Sequence, residues 1–207
     1  MLGERRSPVY IQKNDERSGI LATMKDKNMI PTKLFWVDLE MTGLDTSNDV
    51  ILEIAAEITD FDFTPLASYQ ARIKQSKTVV EERMRLNKWW QQYPKNRDSF
   101  LKNLDNGIDL STVEEELITL LKDHFGAEPA VLAGNSIHSD RAFIKSHWPK
   151  LDARLHYRML DVSSFKILMQ GKYKYVFEKD SNHRAFDDIQ ASISELQDYI
   201  SRFKDIA

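Results

Sequence analysis

A mixed α/β sheet flanked by helices is the fold class that the order of elements predicts. Three strand-like runs follow one another early in the chain. After them, apolar helical stripes alternate with short buried runs, the pattern of strands covered by helices. At 207 residues the chain is one compact domain with an extension, because domains run to about 100 to 200 residues.

The extension is residues 1–31, where apolar residues are sparse and Arg5, Arg6, Lys13, Arg17, Lys25 and Lys27 outnumber Glu4, Asp15, Glu16 and Asp26. It reads as a poorly ordered tail ahead of a domain spanning residues 32–207. A mitochondrial transit peptide is poor in acids, so the four acidic residues favour a cytoplasmic location, with Met24 and Met29 as alternative starts. In the domain, residues 34–39, 50–59 and 66–73 read as strands separated by turn-rich residues 43–49 and 60–65, which predicts an antiparallel meander. Ser111-Thr112-Val113-Glu114 reads as a capping box for a helix whose Val113, Leu117, Leu120 and Leu121 share one face. That helix is expected to end near Gly126. Residues 130–133 form a short buried strand, residues 140–147 a helix stopped by Pro149, residues 159–162 another strand, and residues 185–203 a long last helix.

Composition narrows the chemistry. The 42% hydrophobic content fills a core, and a chain of this size removes about 70% of its unfolded surface from water. There is no cysteine, which excludes disulfide scaffolds, zinc ribbons and thiol nucleophiles. Any metal is therefore held by oxygen or imidazole. With 29 Lys plus Arg against 32 Asp plus Glu the net charge is -3, so no global field attracts a long polyanion. A short nucleic acid held locally remains compatible. No apolar run approaches the length of a membrane span.

Three acidic elements stand out. In Val37-Asp38-Leu39-Glu40 the carboxylates share one face of a strand, about 7 Å apart. A divalent cation such as Mg²⁺ would relieve their repulsion; alternatively, acids simply mark the solvated end of a strand. Gly134-Asn135-Ser136-Ile137-His138-Ser139-Asp140 is a polar turn leading into a helix, with Asp140 in the first turn, where a carboxylate also complements the helix dipole. The third element is His183-Arg184-Ala185-Phe186-Asp187-Asp188. Ala185, Ile189, Ile193, Leu196, Ile200 and Phe203 define the buried line of the last helix. Asp187 lies about 160° from that line and Asp188 about 100° from it, at the border where a side chain reaches a cleft floor. His183 precedes the helix and belongs to a loop, where a group titrating near neutrality serves as a general base.

Together these elements resemble the DEDDh branch of the DnaQ-like 3′–5′ exonucleases, whose motifs are Asp-x-Glu, a central Asp, and His followed by four residues and Asp. More narrowly, Asp38-Leu39-Glu40-Met41-Thr42-Gly43-Leu44-Asp45, Gly134-Asn135-Ser136-Ile137, His156-Tyr157-Arg158-Met159-Leu160-Asp161-Val162-Ser163 and residues 183–189 resemble the oligoribonuclease family. The likeness covers about residues 33–203.

The resemblance implies a ribonuclease-H-like mixed central sheet flanked by helices. It implies that Asp38, Glu40, Asp140 and Asp188 bind two divalent cations, Mg²⁺ or Mn²⁺, and that His183 is the general base. A 5′ mononucleotide is then released from the 3′ end of very short RNA. In such a two-metal site one ion lowers the pKa of the attacking water and the other stabilises the leaving oxygen. Leu44 matches a wedge between two bases, and Trp89 and Tyr157 match rings that stack on them, a contact worth about 1 to 3 kcal/mol per base whatever the base. One of Trp89 and Trp90 is expected in the core. Ser136, Arg158 and Ser163 match residues that cap the 5′ phosphate of a short single-stranded RNA. The family also implies a homodimer, in which a His five residues after the Trp reaches the partner's phosphate. Here that position is Pro94, with Lys95 or Arg97 as substitute cations, and residues 91–106 resemble the family poorly. Two other readings remain at this point: a relative trimming longer RNA or DNA ends, and a non-catalytic binding module.

Overall fold

In the computed structural model, residues 30–178 and 184–204 are described. Five strands, β1 (Lys33–Met41), β2 (Ile51–Asp60), β3 (Pro65–Arg72), β4 (Ala130–Gly134) and β5 (Leu155–Asp161), form one mixed sheet in the order β3-β2-β1-β4-β5. The expected meander is present, since β1 pairs antiparallel with β2 and β2 with β3. β4 lies parallel to β1, and β5 parallel to β4. The carboxyl ends of β1, β4 and β5 therefore lie along one edge of the sheet, the side on which open α/β sheets place their ligands.

Alternation along β1 divides the molecule. Phe35, Val37 and Leu39 enter the main core with Ile54, Ala56 and Ile58 of β2, facing Val113, Leu117 and Leu121 of the Leu110–Phe125 helix and Phe143, Ile144 and Trp148. Asp38 and Glu40 face the opposite side, beneath the Ala185–Lys204 helix. Each fully buried large apolar side chain of the first face contributes about 1.5 to 3 kcal/mol, while the second face, apolar and buried at Leu34 and Trp36, turns polar at Asp38 and Glu40.

Several expectations need correction. The Leu110–Phe125 helix starts one residue before Ser111, with Asp109 at the N-cap and no side-chain cap bond. Glu114 is buried, and its Oε1 accepts from the N–H groups of Lys150 (2.8 Å) and Leu151 (3.1 Å). The supposed capping-box acid thus caps the short Pro149–Asp152 helix. The end of the long helix is as expected, with Gly126 at φ 58°, a conformation that costs glycine little. β5 begins at Leu155 rather than 159, and Val162 opens a helix, Val162–Tyr173, that sequence periodicity does not reveal.

Residues 77–102 hold three further unexpected helices, Lys77–Leu86, Lys88–Gln92 and Pro94–Lys102. Their Val80, Met84, Trp90 and Phe100 pack with Leu52 and Leu104 into a second, smaller core. Pro94 sits in the first turn of its helix, where a missing N–H is harmless. In the last helix Ile200 is exposed, contrary to the expected apolar line. Ser192, Glu195 and Tyr199 are buried in its place.

Candidate active site

The acids of β1 meet the last helix at the sheet edge. One carboxylate oxygen from each of Asp38, Glu40 and Asp188 lies within 4.8 Å of the others, a set of hard donors suited to a divalent cation. Asp188 is 9% exposed whereas its neighbour Asp187 points to solvent. Asp140, in the first turn of the His138–His147 helix, is buried beside this group, and its Oδ1 accepts the Leu39 N–H at 3.0 Å. That bond ties the second acidic element to the backbone between Asp38 and Glu40. His183 lies outside the described residues.

Burial, then the charges of Asp188 and Glu53, push the Glu40 carboxyl up to about 8, against a smaller opposing pull from Arg184. Burial also raises Asp140. Glu53 is the cross-strand partner of Glu40, and Arg184 holds it through two bonds, Nε to Oε1 at 3.1 Å and Nη2 to Oε2 at 2.7 Å. This clamp anchors the chain four residues before Asp188, whose N–H donates to the Arg184 carbonyl at 3.0 Å. Sequence reasoning missed the clamp; its only signal was a Glu between apolar residues early in β2.

A testable consequence follows for stability. Without a cation the folded state retains on Glu40 a proton that the unfolded chain releases, so from about pH 4.5 to about 8 stability falls as pH rises. The melting temperature of EDTA-treated protein is expected to drop between about pH 5 and about pH 8. A divalent cation at about 100 times its Kd should add about 2.7 kcal/mol, or about 5 to 10 °C for a chain of this size. A melting temperature indifferent to both would show that these acids do not form a cation site.

An apolar cleft of about 350 Å³ adjoins the acids, lined by Leu39, Glu40, Met41, Gly43, Leu44, Asn87, Trp89 and Trp90. Trp90 is the core member of the pair, buried with its Nε1 donating to the Thr42 carbonyl at 3.0 Å. Trp89 is half-buried at the cleft, edge-on to Trp90 with ring centres 4.6 Å apart. Leu44 is 76% exposed, a cost in water that an aromatic ligand beside it would offset. The turn carrying it is braced by Asp49, which accepts from Thr42 Oγ1 (2.9 Å), the Asp45 N–H (3.0 Å) and Arg83 Nε (2.9 Å). Gly43 packs so close that a Cβ there would sit 2.4 Å from the Asp49 carboxylate, which explains the glycine before Leu44.

Past the ends of β4 and β5 lies a cluster of hydroxyls. Ser136, at φ 50°, donates its N–H to Ser163 Oγ at 2.7 Å and to Asp161 Oδ1 at 3.0 Å, and the two serine hydroxyls are 3.0 Å apart. Tyr157 and Arg158 lie together on β5, both exposed, with the guanidinium 5.1 Å from the ring centre. The geometry thus groups Asp38, Glu40 and Asp188, then Leu44 and Trp89, then Ser136 and Ser163, with Tyr157 and Arg158 as a separate pair. Among the described residues no helix is long and apolar enough to cross a membrane.

Known proteins resemble this chain in sequence and fold. The exonuclease family model matches residues 35–196. An oligoribonuclease of Francisella tularensis subsp. novicida is 38% identical over 80% of this chain and 93% of its own length. A mitochondrial oligoribonuclease of Mus musculus is 34% identical over 86% of this chain and 76% of its own. Among solved structures, Escherichia coli exonuclease I in complex with a dT13 oligonucleotide superposes with a TM-score of 0.57 at 12% identity, covering 80% of this chain. The chain spans only 40% of that exonuclease, so this likeness speaks for the ribonuclease-H-like fold alone. With the family model spanning most of the domain and the relatives aligned over nearly all of it, the chain belongs to the exonuclease family, in its oligoribonuclease branch.

Proposed function

We propose that the protein is a metal-dependent 3′–5′ exoribonuclease that degrades very short RNA, from dinucleotides to about five nucleotides, to 5′ mononucleotides. The observation that carries this reading is the joining, at one sheet edge, of a three-carboxylate cluster to an apolar cleft open at Leu44 and Trp89. Asp38, Glu40, Asp140 and Asp188 would hold two Mg²⁺ or Mn²⁺ ions. Such ions supply a nucleophilic water at neutral pH and charge stabilisation on both oxygens of the displacement. His183 takes the proton of the attacking water. Leu44 separates two bases while Trp89 and Tyr157 stack on them, so that base identity goes unread. Ser136, Arg158 and Ser163 receive the 5′ phosphate and close the site behind the second nucleotide. Such a closed site suits a chain with a net charge of -3, which has no extended field for a long strand.

Substrate length tests the reading. Rates on 5′-phosphorylated RNA are expected to be greatest for two nucleotides, to fall through three to five, and to be lowest at twenty. A charge-assisted contact contributes about 1.5 to 3 kcal/mol, so Arg158→Ala should slow the dinucleotide about ten- to a hundredfold and longer RNA far less. Equal rates on two and twenty nucleotides in the wild type would replace this reading with that of a general exonuclease.

A homodimer is also part of the proposal, supported by the exposed Tyr93 and Leu86 beside the Trp89 cleft. Light scattering is expected to give about twice the 24.1 kDa of one chain; a monomer with full activity would dismiss it. A cytoplasmic location is the reading supported by the acidic residues of the tail.

A further inference from the structure

Behind the serine pair lies a buried polar chain that the proposed chemistry does not use. Glu195 is 0% exposed, yet its carboxylate is fully engaged. Oε1 accepts from the Tyr199 hydroxyl at 2.7 Å and is paired with Lys166 Nζ at 3.0 Å, and Oε2 accepts from Asn135 Nδ2 at 2.9 Å. Asn135 Nδ2 also donates to Ser192 Oγ at 3.0 Å, and Ser192 Oγ donates to the Asp188 carbonyl at 2.7 Å. On its other side the Asn135 amide oxygen faces Ser163 Oγ at 3.4 Å.

Donor and acceptor rules fix the direction of this chain. A carboxylate only accepts, so Glu195 forces the NH₂ of Asn135 towards itself and leaves the amide oxygen turned to Ser163. Ser163 Oγ accepts the Ser136 N–H at 2.7 Å, and its own proton can go to one of three acceptors, Ser136 Oγ at 3.0 Å, the Asn135 amide oxygen at 3.4 Å or an incoming acceptor. At 3.4 Å the contact with Asn135 is long enough to be given up for a stronger, charged acceptor. We infer that Glu195 is a positioning residue for selecting the substrate's 5′ phosphate, acting through Asn135 to keep the Ser163 hydroxyl poised as a donor. The inference rests on the proposed cap of Ser136, Arg158 and Ser163. It also gives the burial of Glu195 a function, because a buried charge is retained only when its partners offset the cost of removing it from water.

The test compares kcat/KM for a dinucleotide carrying a 5′ phosphate with that for the same dinucleotide carrying a 5′ hydroxyl. Glu195→Gln keeps the shape but no longer dictates the Asn135 amide orientation. The expected result is a roughly tenfold fall in the phosphate-to-hydroxyl ratio, carried by a higher KM for the phosphorylated substrate at little-changed kcat. Should Glu195→Gln fail to fold, Asn135→Ala cuts the link while leaving Glu195 its bonds to Tyr199 and Lys166, and the same fall is expected. A folded variant that loses activity equally on both substrates, or keeps the wild-type ratio, overturns the role of Glu195 while the cap reading stands. A wild-type enzyme with no preference between the two substrates overturns the cap itself.

Discussion

Asp38→Asn and Asp188→Asn are each expected to lower hydrolysis by about 10³-fold or more, whereas Asp187→Asn leaves it within about twofold. The contrast comes from adjacent residues on one helix. Asp188 points into the group with Asp38 and Glu40, and Asp187 points to solvent. An amide keeps the shape of the carboxylate but removes its charge, so a cation site loses several kcal/mol of charge stabilisation while the core is untouched. Relieving repulsion in the cluster should leave the EDTA-treated Asp38→Asn and Asp188→Asn proteins at least as thermally stable as wild type. Equal loss at Asp187 and Asp188 would place the wrong acid in the site. Activity that survives EDTA would remove the metal-dependent mechanism altogether.

That the sequence separates Asp187 from Asp188 shows what pattern reasoning can reach. Ala185, Ile189, Ile193 and Leu196 are all buried, and four such residues suffice to orient a helix. The same counting fails at Ile200, which is exposed, because the buried face is completed by Ser192, Glu195 and Tyr199. A buried polar network has no hydrophobic signature and is recognised only when its partners, here Asn135 and Lys166, come together from distant parts of the chain. The strands of the meander were legible because strand-like runs of eight to ten residues are bounded by turn-rich segments. The helices between residues 77 and 102 were not, because each buries only one or two side chains and those pack on Leu52 of another element. Between Trp89 and Trp90 the family resemblance picked Trp89 as the stacking ring, and the packing puts Trp90 in the small core.

His183→Ala is expected to lower kcat by about 10² to 10⁴, the usual contribution of a positioned general base, while dinucleotide affinity in Ca²⁺ changes by no more than about threefold. Arg184 is fixed to Glu53 by two hydrogen bonds, and Glu53 lies across the strand pair from Glu40. His183 directly precedes Arg184 in the sequence, at the position where the family resemblance puts the general base. A general base acts on the attacking water and is not a metal ligand, so its loss should affect turnover far more than binding. Such a base must be neutral to accept a proton, so part of the pH dependence of wild-type turnover should come from His183. In His183→Ala that part of the pH dependence should disappear. If dinucleotide affinity falls as far as turnover, or the variant keeps the wild-type pH profile, the proton is taken by another group.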